Sequence, residues 1–309
     1  MWEHIREDLS KGTVKTLARA ISYIENDVEG YEYFLQDLLL PKIPVIGITG
    51  PPGAGKSTLT DALIACIVGF GKKVAVLCVD PSSPFNLGAI LGDRVRMSQW
   101  YDHPMVFIRS LATRGSMGGL HPKILEISDL CKFAGYDYIL VETVGVGQSE
   151  IEITGLADIT VVVLVPEAGD EIQTMKAGLM EIADIFVVNK SDRPEAQKFV
   201  QHLRSMLAPA FYHKKSEIPI MQTVAMRKEG VDSLWEKILE HLALGSDNQQ
   251  KTYLLAEKVY YIIQQQRMKG ISKDTIRKEI SDQMHLAEFN IYKYSNQFLL
   301  KEEIKKPQG

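Results

Sequence analysis

Apolar positions along the chain follow two rhythms, with a sharp change near residue 43. Leu9, Val14, Leu17, Ala20, Ile21 and Ile24 recur at helical spacing, as on a helix with one buried face. A second helical stretch, EGYEYFLQDLLL, runs to Pro41, and Gly30, Pro41 and Pro44 punctuate the segment. From residue 43, short β-branched runs alternate with helical patterns. Strands are predicted over 44–49, 73–79, 106–110, 138–142, 159–165, 185–189 and 218–224. Helices are predicted over 57–70, 122–135, 172–183, 194–207 and 231–242. Several strands are apolar throughout, as in ITVVVLV, which marks strands covered by helices on both faces. The alternation implies βαβ units and a mostly parallel central sheet in an α/β fold. After Gly245-Ser246-Asp247-Asn248 only helix signals continue, to about Ile304, with Ser272 placed to cap ISKDTIRKEI.

Three regions follow: an N-terminal helical extension (1–42), an α/β domain (43–245) and a C-terminal helical region (246–309). The last is too short for a large core of its own and is expected to pack on the domain or on a second copy of the chain.

Composition narrows the function classes. The 309 residues carry 35 basic and 39 acidic side chains, a net charge of −4, which disfavours an extended nucleic-acid footprint. Three cysteines, Cys66, Cys78 and Cys131, form no CxxC pair, so neither a disulfide framework nor a closed zinc site is expected. Cys66 and Cys78 lie in apolar segments and read as small buried hydrophobes. No secretory h-region is visible, and no apolar run approaches membrane-spanning length. A cytoplasmic protein without membrane contact is expected.

The strongest motif is Gly50-Pro51-Pro52-Gly53-Ala54-Gly55-Lys56-Ser57, a GxxxxGK[ST] phosphate loop. It follows a predicted strand and opens a predicted helix at Ser57-Thr58, the context the motif requires. Its backbone N–H groups and the helix N-terminus make an anion cradle. Lys56 is expected to reach the β- and γ-phosphates, and Ser57 to offer its hydroxyl to Mg²⁺. Pro51 stands where a signature lysine would define the dimer-sandwich ATPases, which disfavours that class.

Asn189-Lys190-Ser191-Asp192 follows the apolar strand IFVV. A carboxylate at Asp192 offers two acceptors to the N1–H and N2 amino donors of guanine, and adenine lacks that pair. A wrong base leaves buried groups unpaired at about 1–3 kcal/mol each. Lys190 can lie along the base plane, and Asn189 can tie its loop to the phosphate cradle.

Acids at strand ends are candidates for the metal. Glu142 opens Glu142-Thr143-Val144-Gly145, a DxxG pattern with Glu for Asp, in which the Gly145 N–H can sense a γ-phosphate. Asp80 ends VAVLCVD, and Asp93 lies in LGDR. Either some of these acids hold metal-bound waters or one positions the attacking water. Residues 81–120 are rich in Gly, Ser, Pro and Arg, including Arg94, Arg96, Arg109 and Arg114. An arginine delivered to the γ-phosphate would stabilise transition-state charge; which one is left open.

These motifs, in this order, resemble the MeaB/ArgK-type GTPases, called MMAA in animals, chaperones of cobalamin-dependent acyl-CoA mutases. The resemblance rests on GPPGAGKS, VDPSSPF (79–85), LGDRVRM (91–97), FIRSLATRGSMGGL (107–120), VETVGVGQSE (141–150), VPEAGDEIQTMKAG (165–178) and NKSD (189–192), and it covers essentially the whole chain. It implies a P-loop NTPase of the SIMIBI type, with N-terminal helices and a C-terminal helical dimerisation arm. It implies GTP and GDP as ligands, and Mg²⁺ bound through Ser57 with Asp80, Asp93 and Glu142 around it. Gln173 and Lys176 match the switch element through which the family couples GTP to its partner. The guanine loop usually reads Ser-Ala; here Thr223-Val224-Ala225 stands, so the Ala225 N–H remains for guanine O6 without the supporting Ser hydroxyl. No histidine is assigned a metal role.

The expected activity is slow GTP hydrolysis, about 10⁻⁴ to 10⁻³ s⁻¹ when no arginine is supplied, that gates adenosylcobalamin loading into a mutase such as methylmalonyl-CoA mutase. Two rivals remain at this point. A nickel-insertase-like, metal-delivering GTPase would need a His-rich tail or a Cys-His pair near the switches. An amino-acid-transport kinase would need an ATP preference, which Asp192 opposes.

Overall fold

The computed structural model describes residues 1–80, 97–113, 120–143, 149–168, 182–211, 218–245, 249–268, 271–285 and 289–303. Asp93, Arg94, Arg96, Arg114, Gly145, Gln173 and Lys176, and most of the helix expected over 172–183, lie outside the described residues.

Seven strands form one parallel sheet in the order β3-β2-β4-β1-β5-β6-β7. They are β1 (Val45–Thr49), β2 (Val74–Asp80), β3 (Val106–Ala112), β4 (Tyr138–Glu142), β5 (Ile159–Leu164), β6 (Ile185–Val188) and β7 (Ile220–Gln222). Among the described residues, the helices of this part are α1 (Trp2–Ser10), α2 (Val14–Glu25), α3 (Tyr31–Gln36), α4 (Lys56–Gly69), α5 (Ile124–Phe133), α6 (Ser149–Leu156), α7 (Ala196–Phe211) and α8 (Val231–Leu244).

Alternation within each strand explains why several read as apolar throughout. Ile46, Ile48, Val74, Val76 and Leu140 point to the face covered by α4, α7 and α8. Val45, Ala75, Leu77, Ile139 and Val141 point to the other face, where α1, α2, α3, α5 and α6 pack. Period-two side chains with a helix layer on each side need apolar residues at both parities.

The N-terminal helices belong to this core. Leu17, Ile21 and Ile24 of α2 are wholly buried, each burial worth about 1.5–3 kcal/mol. The first helical run is two helices, because the chain turns at 11–13. Val14 therefore starts α2 and stands exposed rather than on the buried stripe. Helix α6 lies where the sequence pattern predicts no element.

At the N-terminal edge of the sheet, three aspartates stand one residue before a strand. Asp158 accepts from Val45 N–H at 2.8 Å, Asp184 from Thr160 N–H at 2.7 Å and Asp137 from Lys73 N–H at 2.8 Å. Each satisfies a donor at or beside the start of the neighbouring strand. A 3₁₀ turn at 97–100 is fastened to α4, where Asp61 accepts from Trp100 Nε1 at 2.7 Å and Gln99 Nε2 at 2.9 Å. Cys78 and Cys131 are buried, and burial pushes the Cys131 thiol up to about 12. Cys66 is only half-buried.

The chain divides into two compact units, Met1–Leu255 and Ala256–Gly309. The second is helical, from the continuation of α9 (Gln249–Arg267) through α10 (Lys273–Gln283) to α11 (Ile291–Glu303). Ser272 caps α10, its side chain accepting from Thr275 N–H at 3.3 Å. Tyr294 of α11 donates to Glu279 of α10 at 2.7 Å. No helix among the described residues is long and apolar enough to cross a membrane.

Candidate functional site

The sheet order places β1 between β4 and β5, where the chain reverses its direction of travel across the sheet. Ligands of open α/β sheets bind beyond the carboxyl ends of the strands at such a point. The loop 50–55 leaves β1 there and leads into α4, whose N-cap is Gly55. Gly50 has φ 138°, and a Cβ would lie 2.1 Å from the Val163 carbonyl oxygen. Gly55 has φ 85°, and a Cβ would lie 2.4 Å from Asn189 Nδ2. Any side chain at either position would push the loop off the sheet or off its neighbour. Lys56 is buried, and its Nζ donates to the carbonyls of Gly50 at 3.0 Å and Pro51 at 3.1 Å. The ammonium is thus held over the loop at the mouth of the helix, where an anion would meet it.

Beside the loop lies an oxygen-rich corner. Glu142 ends β4 and is buried. Its Oε1 accepts from Ser57 Oγ at 2.6 Å and its Oε2 from Thr60 Oγ1 at 2.8 Å. Thr143 donates to Thr49 at 2.8 Å, tying the ends of β4 and β1 together. Asp80, also buried, ends the adjacent β2; Cys78 pairs with Glu142, so Asp80 reaches two residues further. Hydroxyl and carboxylate oxygens are the hard donors that Mg²⁺ takes, one or two directly and others through water. The residues present fit that ion.

The NKSD segment is stitched to the glycine-rich loop. Asn189 Nδ2 donates to the Ala54 carbonyl at 3.0 Å, and Lys190, at φ 55°, donates to the Gly53 carbonyl at 2.9 Å. Asn189 Oδ1 accepts from Thr223 Oγ1 at 3.2 Å and from Ala225 N–H at 3.1 Å. Thr223 thus supplies a hydroxyl to this network from one position before Val224. Asp192 is partly exposed, with Arg227 Nη2 3.5 Å from its carboxylate. Arg193, next in sequence, forms an ion pair with Glu167.

The family model described as Methylmalonyl Co-A mutase-associated GTPase MeaB matches residues 17–282. The chain belongs to the MeaB family. A Pyrococcus horikoshii relative is 46% identical over 246 residues, 77% of each chain. GTPase ArgK of Escherichia coli is 34% identical over 301 residues, 94% of this chain and 88% of ArgK. A crystal structure titled LAO/AO transport system kinase superposes with a TM-score of 0.66 at 26% identity, covering 99% of this chain and 98% of that one. The chain is a GTPase with the SIMIBI P-loop fold.

Several members of this MeaB-family corner were not foreseen from the residues alone. Thr60 lies three positions after Ser57 on one face of α4, a signal hidden because it sits in the apolar run LTDALIACIV. Thr49, Thr143 and Thr223 are ordinary strand-end residues by pattern. Arg109 goes elsewhere: it is paired with Glu25 and donates to Ser22 Oγ at 3.2 Å, both on α2, with His121 Nε2 3.7 Å from the same Glu25 carboxylate. Of the four arginines considered for the γ-phosphate, Arg109 is therefore committed to the N-terminal helices.

Proposed function

We propose that this MeaB-family GTPase gates adenosylcobalamin loading into a cobalamin-dependent acyl-CoA mutase, methylmalonyl-CoA mutase, and protects it. The observation carrying this reading is the match to the mutase-associated family over residues 17–282, which takes in both the nucleotide corner and helices of the C-terminal region. In this reading the loop Gly50–Gly55 and the α4 N-terminus, with Thr58, cradle the phosphates of GTP or GDP. Lys56 exchanges its loop carbonyls for phosphate oxygens. Asp192 takes the guanine N1–H and N2 amino group, Lys190 lies along the base, and Val224 and Ala225 line the O6 edge. Ser57, with Asp80, Asp93 and Glu142, would hold Mg²⁺, which when bound neutralises charge developing on the transferred phosphoryl group. Gly145 reports the γ-phosphate, and Gln173 and Lys176 carry its presence to the partner. The mutase shifts the nucleotide states by its differential affinity for them.

The region 246–309 is assigned as a dimerisation arm. Tyr253, Val259, Tyr260, Ile263 and Met268 of this region are all exposed in the single chain, which supports its covering by a second copy.

The test is to mix the chain with purified methylmalonyl-CoA mutase, in GDP and in a non-hydrolysable GTP analogue, and follow it by size exclusion with light scattering. The expected result is a dimeric chain that forms a complex of nucleotide-dependent affinity, with GTP turnover raised in the complex. Independent elution in both nucleotides together with unchanged turnover would sink the mutase assignment.

A further inference from the structure

Glu142 is a glutamate where the DxxG pattern has aspartate, so one more torsion separates its carboxylate from the backbone. The last torsion of such a side chain is broad and roughly two-fold. Packing alone therefore does not fix which oxygen faces the nucleotide corner. Two hydroxyls do: Ser57 Oγ at 2.6 Å on Oε1 and Thr60 Oγ1 at 2.8 Å on Oε2. Both hydroxyls come from α4, and all three side chains are buried.

Thr60 has a choice of acceptor. Its Oγ1 also lies 3.0 Å from the Lys56 carbonyl oxygen, one turn back, the ordinary local bond of a helical threonine. A single hydroxyl proton serves one acceptor fully. The carboxylate is the stronger acceptor, because bonds to an ionised group are roughly twice as strong as neutral ones. The Thr60 proton therefore belongs to Glu142, and Ser57 is left as the exchangeable partner. When a cation takes the Ser57 oxygen, Oε2 is still held by Thr60. The plane of the carboxylate is kept, and Oε1 keeps its direction toward Ser57.

The geometry points to Thr60 as a positioning residue for the Mg²⁺ site, holding Glu142 in the orientation in which it serves the metal. This rests on the assignment of Ser57 and Glu142 to Mg²⁺ given above. It predicts a selective defect: Mg²⁺ dependence changes while nucleotide binding without metal does not.

The experiment uses the full chain with a fluorescent GDP analogue. Nucleotide affinity is measured in EDTA, and nucleotide release is then followed as Mg²⁺ is titrated in. Thr60→Val keeps shape and removes the hydroxyl; Thr60→Ser restores it. Thr60→Val is expected to raise the Mg²⁺ concentration for half-maximal retention about three- to tenfold, the equilibrium equivalent of one hydrogen bond. Thr60→Ser is expected to stay within about twofold of the parent, and all three proteins to bind the analogue equally in EDTA. An unchanged Mg²⁺ midpoint in Thr60→Val, or an equal loss in Thr60→Ser, overturns the inference. If Thr60→Val does not fold, Thr60→Ala is read by the same criteria. A parent chain whose nucleotide release is indifferent to Mg²⁺ would instead overturn the metal assignment itself, which keeps the two failures apart.

Discussion

At the N-terminal edge of the sheet, Asp137, Asp158 and Asp184 accept backbone N–H groups from the strands beside them. At the C-terminal edge, Glu142 accepts from the hydroxyls of Ser57 and Thr60. The acids are alike in charge and sit at strand ends of one sheet, Asp137 and Glu142 at the two ends of β4, but their partners differ in what else they can do. A strand N–H can only donate, and where it is buried it must be satisfied. A serine hydroxyl carries an oxygen that can also turn to a metal. One edge is thereby closed and structural, and the other remains exchangeable. The partner of such an acid, more than the acid itself, separates a carboxylate that only closes the sheet from one that could serve a ligand.

Substitutions at the two edges should therefore fail differently. Lys56→Ala carries the largest expected effect, a loss of about 10²-fold or more in GTP turnover, the scale for removing one preorganised transition-state donor. Phosphate-release assays with an unchanged thermal midpoint would check it; full activity would mean that the phosphates bind elsewhere. Asp192→Asn is expected to weaken GTP about tenfold or more and to favour xanthosine triphosphate, whose C2 oxygen accepts rather than donates. Competition binding with both nucleotides reads this directly. Asp158→Ala, at the opposite edge, strands the Val45 N–H and is expected to cost about 1–3 kcal/mol of stability with no change in guanine-nucleotide affinity. Urea titration beside nucleotide binding separates the two quantities, and a nucleotide defect would erase the distinction between the edges. The smallest effect is expected for Asp61→Ala, a carboxylate belonging to neither edge. It should lose about 0.5–1.5 kcal/mol and alter the emission of Trp100, whose indole it accepts from.

The central strands were legible because β1, β2, β5 and β6 are buried along their length, as is β4 after Tyr138, and burial on two faces writes itself into composition. The phosphate loop was legible because close backbone approach forces glycine at Gly50 and Gly55, and NKSD marked the segment whose Asn189 and Lys190 bond that loop. Val14 misled because helical spacing continues across a turn that periodicity does not register. The helix α6 escaped because its sequence, SEIEITGL, has no clear one-sided stripe. Thr60 escaped because its role is decided across the fold, 82 residues from Glu142. Arg109 was a candidate by its neighbourhood in sequence and is claimed by Glu25, 84 residues away. Side-chain partners drawn from distant segments leave no local trace. The aspartates before β4, β5 and β6, by contrast, form a repeated mark that sequence inspection can find.

On the function proposed above, the bonds from Asn189 and Lys190 to the carbonyls of Ala54 and Gly53 would join the purine reader to the seat of the triphosphate as one frame. A mismatched purine then does more than sit loosely in its own recess. By disturbing 189–192 it also slackens the posture of the loop that aligns the reacting bond. Selectivity in such a frame is exercised twice, once on residence and once on chemistry.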